Sequence, residues 1–273
     1  MTTFTLKESP SVPLEAECLS PDVIAPLRHS EIAALPVFLG KRQHRLEDFF
    51  TVEGEGGDEL EIHGDAGRVK WIGRGMTRGK ITLHGNVGMH LGAYMKGGSI
   101  EVRGNAGDWV GAEMKGGLIR ILGDAGGQIG AAYRGSLAGM KGGVILVEGS
   151  AGMEIGMRMR RGIIAIKGPV RDFAGLQMKG GTLFLLGGAE LRTGAWMIRG
   201  TIVSGRPIAL LPTFASACTY EPAFLRLYTR YLHTLGFTLP GSTGEGGYHR
   251  YSGDAAVPGK GEILVWQAAG NEP

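Results

Sequence analysis

The stretch GKITLHGNVGMHLGAYMKGG (residues 79–98) runs directly into SIEVRGNAGDWVGAEMKGG (residues 99–117), and the second segment repeats the first almost position by position. Both close on a methionine, a lysine and two glycines, and the pair Ile81 and Leu83 returns as Ile100 and Val102. From Gly79 to Gly98 is 19 residues, as it is from Gly98 to Gly117, Gly143 to Gly162, Gly162 to Gly181 and Gly181 to Gly200. Only Gly117 to Gly143 differs, at 26, which places an insertion of 7 residues around Tyr133 to Ala138. Self-similarity at a fixed period of this length is the mark of stacked supersecondary units.

Read in phase, the first apolar pair continues as Ile119 and Ile121, Ile145 and Val147, Ile164 and Ile166, Leu183 and Leu185, with Leu60 and Ile62 before it and Ile202 after it. A third apolar position holds Leu91, Val110, Ile129 and Ile155, and a fourth holds Met76, Met95, Met114, Met140, Met159, Met178 and Met197. Alternation over about five residues between glycines predicts a strand with one face buried. Helix is excluded, because each interior glycine would cost about 1 kcal/mol there and none of these stretches is free of glycine for three turns. The predicted fold is all-β: a single-stranded right-handed parallel β-helix of about 7 to 8 glycine-cornered turns, with a short N-terminal cap and a C-terminal helix. The seven methionines are read as thioether gap-fillers of its core.

Four regions follow. Residues 1–53 form an N-terminal cap or arm and 54–205 the β-helix. Residues 206–239 form a C-terminal helical segment, where Pro222 starts and Gly236 stops a run with Phe224, Leu225, Tyr228, Tyr231 and Leu232 at helical spacing. Residues 240–273 read as a glycine-rich tail, mobile or extended along a partner, within which Ile263 to Trp266 can pair as a strand.

Composition agrees with a folded repeat rather than collagen or disorder: 49 of 273 residues are glycine, yet 43% are hydrophobic and no glycine triplet period appears. The net charge of +3 is too mild for a dedicated nucleic-acid binder. Cys18 and Cys218 have no metal or redox spacing and read as spectator thiols of a reducing compartment. No signal-peptide core and no run of about 18 apolar residues is present, so a cytoplasmic protein is expected.

Catalytic groups are sought and not found. The seven histidines share no ligand spacing, and His63 and His84, one unit apart in the same phase, are expected to stack as solvated neighbours with no metal bound. Asp65, Asn86, Asn105, Asp124 and Ser150 form a column behind a corner glycine, where short polar side chains satisfy backbone groups. Two features face outward. Strand positions that are polar early (Thr82, His84, Glu101, Arg103) become apolar late (Val144, Leu146, Phe184, Leu186). Together with Phe224, Tyr228 and Tyr231, these late residues make an interface that the C-terminal helix, another subunit or both must cover. After each core methionine comes a basic residue in nearly fixed phase: Lys96, Lys115, Lys141, Arg160 and Lys179, with Arg78, Arg161 and Arg199 one place further on. Stacking sets these about 5 Å apart, as a solvated corner or as a track for an extended polyanion.

The repeated GAYMKGG of residues 92–98 and GAEMKGG of 111–117 resemble the GXGXG β-helix of the glutamate synthase C-terminal domain, and more closely the C subunit of formylmethanofuran dehydrogenase. The flanks at 27–40 and 210–236, with LPTF at 211–214 and FLRLY at 224–228, resemble the C subunit of the bacterial formyltransferase/hydrolase complex. The resemblance covers residues 20–236. It implies a non-catalytic scaffold with no cofactor of its own in a hetero-oligomer with amidohydrolase and formyltransferase subunits. That complex takes tetrahydromethanopterin-bound formyl groups to a methanofuran-like carrier and releases formate. The carrier's oligoglutamate tail gives the basic column a candidate ligand. A molybdenum or tungsten formylmethanofuran dehydrogenase and a glutamate-synthase-like spacer are the alternatives.

Overall fold

The computed structural model describes residues 1–239 and 247–267. The N-terminal region holds β1 (Thr2–Leu6), β2 (Leu14–Glu15), α1 (Pro21–Ile24), α2 (His29–Ala33), β3 (Pro36–Leu39), β4 (Arg42–Arg45), α3 (Leu46–Phe49) and β5 (Phe50–Gly54). The repeats supply β6 (Glu59–His63), β7 (Val69–Lys70), β8 (Lys80–Leu83), β9 (Ser99–Val102) and β10 (Leu118–Ile121). They continue through β11 (Lys141–Val147), β12 (Arg161–Ile166), β13 (Lys179–Leu185) and β14 (Arg199–Ser204). After them come β15 (Ala215–Tyr220), α4 (Leu225–Thr234), β16 (Gly247–Gly253) and β17 (Gly261–Gln267).

The protein is mostly β, dominated by one long sheet whose middle is a parallel run from β6 through β8 to β14. Its register follows the repeat: Leu60 lies beside Ile81, then Ile100, Ile119, Ile145, Ile164, Leu183 and Ile202 in turn. The inserted residues leave that register intact, since Ile119 still meets Ile145. A second line of parallel bridges joins Ala66, Val87, Ala106, Ala125, Ala151, Val170 and Ala189. Each unit therefore touches the next along two separate lines.

Between these lines lie the enclosed Ile, Leu, Val and Met rows, and all seven repeat methionines are fully buried. The glycine three places after each methionine is required by this packing. At Gly117, where φ is +94°, a Cβ would stand 2.7 Å from the Met95 Cε methyl and 2.8 Å from the Gly98 carbonyl oxygen. Left-handed backbone and the neighbouring turn both reserve the place for glycine. The polar column behaves as its residue types predict: Asn86, Asn105 and Asp124 each accept, through Oδ1, the backbone N–H of Asn105, Asp124 and Ser150 in the following unit at 2.7–2.9 Å.

Both ends of the parallel run are closed. At one end β1 pairs in parallel with β6, setting Phe4 against Ile62, and β5 covers β1 antiparallel. At the other, β17 pairs in parallel with β14, setting Ile263 against Ile202, and β16 and β15 follow antiparallel. Ile263 to Trp266 pair as a strand as expected, within 261–267, whereas the reading of the stretch before them as mobile or extended is corrected at 247–253, which are also sheet; 240–246 and 268–273 lie outside the described residues. Ile263 and Val265 join the enclosed rows while Leu264 faces out, so alternation outweighs the glycine content around it.

Leu264 belongs to a second apolar core on the outer face. Val144, Leu146, Ala165, Phe184, Leu186 and Val203 are covered there by Leu225, Leu232, Phe237, Leu239 and Tyr248. The expectation that Val144, Leu146, Phe184 and Leu186 present an interface to another subunit is corrected accordingly. The chain's own C-terminal segment buries all four, because an amphipathic helix is the nearest apolar cover for a bare strand face. Tyr228 is half-buried against Phe184 and its hydroxyl accepts a hydrogen bond from Thr182 (3.1 Å), whereas Phe224 and Tyr231 remain exposed. Among the described residues, no helix is long and apolar enough to cross a membrane.

Candidate functional site: a basic row flanked by aromatics

Each residue of the basic row is held by its backbone. The N–H groups of Lys96, Lys115, Lys141, Arg160 and Lys179 donate to the carbonyls of Met76, Met95, Met114, Met140 and Met159 at 2.7–2.8 Å. With each methionine turned inward, the next side chain turns outward, and Lys96, Lys115, Lys141, Arg160, Arg161 and Arg199 are all exposed. Lys179 is half-buried and donates from Nζ to the Leu137 carbonyl, 3.0 Å away, in the inserted loop. Local register shifts set Lys141 beside Arg161 and Lys179 beside Arg199. Directly opposed like charges are destabilising. Among the described residues none of the seven forms a salt bridge, so their charges are answered by solvent or by a bound anion.

Two open clefts follow the row. One of about 420 Å³ is lined by Lys141, Arg160, Arg161 and Lys179. The other, about 710 Å³, includes Lys96, Lys115, Arg74 and Tyr94. The row also continues where sequence reasoning ended it. Ile198 interrupts the series, but the Lys260 N–H donates to the Ile198 carbonyl (2.7 Å) and the exposed Lys260 side chain extends the row by one rung. The 19-residue spacing gave no signal for Lys260, which enters from a different part of the chain.

An aromatic column beside the larger of these clefts was also missed. Trp71, His90 and Trp109 occupy one phase, all with left-handed backbone (φ 69°, 65° and 65°). Trp71 and His90 stack at 4.1 Å, and Tyr133 from the insertion lies against Trp109 at 4.9 Å with its hydroxyl 2.8 Å from His90 Nδ1. Arg74 sits over Trp71 and Tyr94 and is paired with Glu17. Burial, helped by the nearby Lys70 charge and opposed by Asp108, pulls the His90 pKa down to about 4, so this imidazole is neutral at pH 7. The signal available in the sequence was the recurrence of Trp71, His90 and Trp109 at 19 residues. Cys18 borders the same cleft as Arg74 and Tyr94, and burial pushes its thiol up to about 12, which makes it a poor nucleophile.

The GXGXG motif family matches residues 62–204. The C subunit of the tungsten-containing formylmethanofuran dehydrogenase 2 of Methanothermobacter wolfeii is 43% identical over 95 residues, 33% of this chain and 35% of that protein. The C subunit of the molybdenum-containing formylmethanofuran dehydrogenase 1 of Methanosarcina barkeri is 44% identical over 90 residues, 31% and 30% of the two chains. The match therefore spans about a third of these curated relatives. A chain in the crystal structure of the formyltransferase/hydrolase complex (FhcABCD) from Methylorubrum extorquens with methylofuran is 33% identical and superposes with a TM-score of 0.90. That superposition covers 97% of this chain and 100% of the other.

Proposed function

This chain belongs to the GXGXG-motif family and, within it, to the C subunits of formylmethanofuran dehydrogenases and formyltransferase/hydrolase complexes, and from that premise we propose that it is a non-catalytic scaffold of a cytoplasmic formyltransferase/hydrolase complex. Its coil of units is a right-handed parallel β-helix against which amidohydrolase and formyltransferase subunits assemble. The complex moves a formyl group from formyl-tetrahydromethanopterin to a methanofuran-like carrier and releases formate, and Lys96, Lys115, Lys141, Arg160, Arg161, Lys179 and Arg199 guide the carrier's oligoglutamate tail. Superposition over almost the whole chain carries the reading. The row of cations without salt-bridge partners among the described residues supports the part given to the tail.

The alternative, the C subunit of a molybdenum or tungsten formylmethanofuran dehydrogenase, draws on the higher identity to those relatives. It is supported over only a third of the chain. The test uses the assembled complex with Lys141, Arg160 and Lys179 all changed to Glu. Exposed ion pairs contribute about 0.2 to 1 kcal/mol each, so three lost pairs raise KM for the carrier between about threefold and a hundredfold, less so in high salt. Unchanged kinetics removes the tail-guiding role. Metal content and masses of the chains that co-purify separate the two complexes.

A further inference from the structure

The stacked histidines near the start of the parallel run have a third member. Glu61 and His63 lie two residues apart on β6 and so share its outer face. His84 directly follows β8, its N–H bonded to the Ile62 carbonyl at 2.8 Å, which fixes it beside His63. The two rings stack at 4.1 Å with planes 8° apart. One carboxylate oxygen, Glu61 Oε2, stands 3.4 Å from His63 Nε2 and 3.6 Å from His84 Nε2. One ligand atom from each of the three side chains falls within 4.8 Å of the other two.

We propose that Glu61, His63 and His84 form a binding site for one first-row divalent cation, best matched by zinc, which pins neighbouring rungs of the stack and keeps a coordination position open to water. The spacing argues for it. At 3.4 and 3.6 Å the nitrogens are beyond the usual 2.7–3.2 Å of a hydrogen bond to the carboxylate. Ligand atoms around a tetrahedral zinc with bonds of about 2.0 to 2.2 Å sit roughly 3.3 to 3.5 Å apart, close to what is seen. His84 Nε2 is buried without a hydrogen-bond partner, an arrangement that ordinarily costs free energy and that a metal bond would relieve.

The surroundings keep the ligand set usable. Side-chain exposures of 39%, 21% and 34% for His63, His84 and Glu61 keep the cluster at the surface. Two imidazoles and one carboxylate from the protein, with a position left over, match an open rather than a closed zinc site.

The test is calorimetric titration of the chelator-treated full chain, without a histidine tag, with zinc chloride, repeated with cobalt(II) for its visible absorption. One equivalent is expected to bind and to raise the melting temperature. Glu61→Gln, His63→Ala and His84→Ala should each weaken binding at least tenfold, while His249→Ala leaves it unchanged. All three sites are partly exposed, so the metal-free melting temperatures of the variants verify folding. Absence of saturable binding overturns the proposal, as does binding that survives His63→Ala and His84→Ala.

Discussion

The Arg120 guanidinium closes the C-terminal end of α4 by donating from Nη2 to the carbonyl of Gly236, 3.0 Å away, across 116 residues of chain. From Nη1 it also reaches the Leu235 carbonyl at 3.2 Å, and Nη2 pairs with Glu148 at 2.8 Å. Gly236 is left-handed (φ +72°), and Phe237 N–H returns to the Leu232 carbonyl, so the helix ends in a glycine cap whose last carbonyls face a cation. One arginine on the repeat face thereby ties down the end of the covering helix.

Arg120→Met keeps the aliphatic stem and removes the charge-assisted bonds, which contribute about 1.5 to 3 kcal/mol when a charged group takes part. A loss of that order is expected in chemical denaturation. Amide exchange should accelerate over 225–239 and stay slow in β9 to β13. Uniform acceleration would mean that the helix is not the element Arg120 holds.

Gly117→Ala should destabilise the protein by about 2 kcal/mol or more, from left-handed strain and the clash with the adjoining turn. Truncating the obstructing side chain in Gly117→Ala/Met95→Ala should not rescue it, because the Gly98 carbonyl oxygen at 2.8 Å stays in place. Melting temperatures of both variants decide the point: recovery in the double variant would make the methionine alone responsible for the glycine.

His90 gives stability a dependence on acid. An unfolded imidazole takes up its proton near pH 6.5, whereas in the fold it does so only at about 4. Between those values the unfolded chain binds one more proton, so this contribution is complete above about pH 6.5 and is lost as the pH falls toward 4. His90→Gln should flatten the fall of melting temperature across that window. An unaltered slope would place the sensitivity on another group.

The repeat was legible because its physical causes are periodic. Ile81, Ile100 and Ile119 recur for the same reason that they stack, and Gly98 and Gly117 recur because each meets the methionine and carbonyl of the unit before. The outer face was half legible: the change from Thr82 and Glu101 to Leu146 and Phe184 announced a cover, but the choice between the chain's own helix and a separate subunit depends on where residues 206–239 return, which no local pattern encodes. Lys260 and the place of β17 beside β14 were hidden for a related cause: Ile263 to Trp266 read as a strand, but joining the stack from a distance obeys no spacing. The Glu61 carboxylate was hidden because the repeat phase marks the two histidines and not the residue two places before them.

The closing rung carries a temporal consequence. β17 zips onto β14 only after the ribosome has added everything between 205 and 261, about 3 to 11 seconds at usual rates of synthesis. Throughout that interval the nascent chain displays a raw backbone edge and an uncovered oily flank. Those seconds are when another protein competes most easily for the place that the chain's own downstream segment is destined to take.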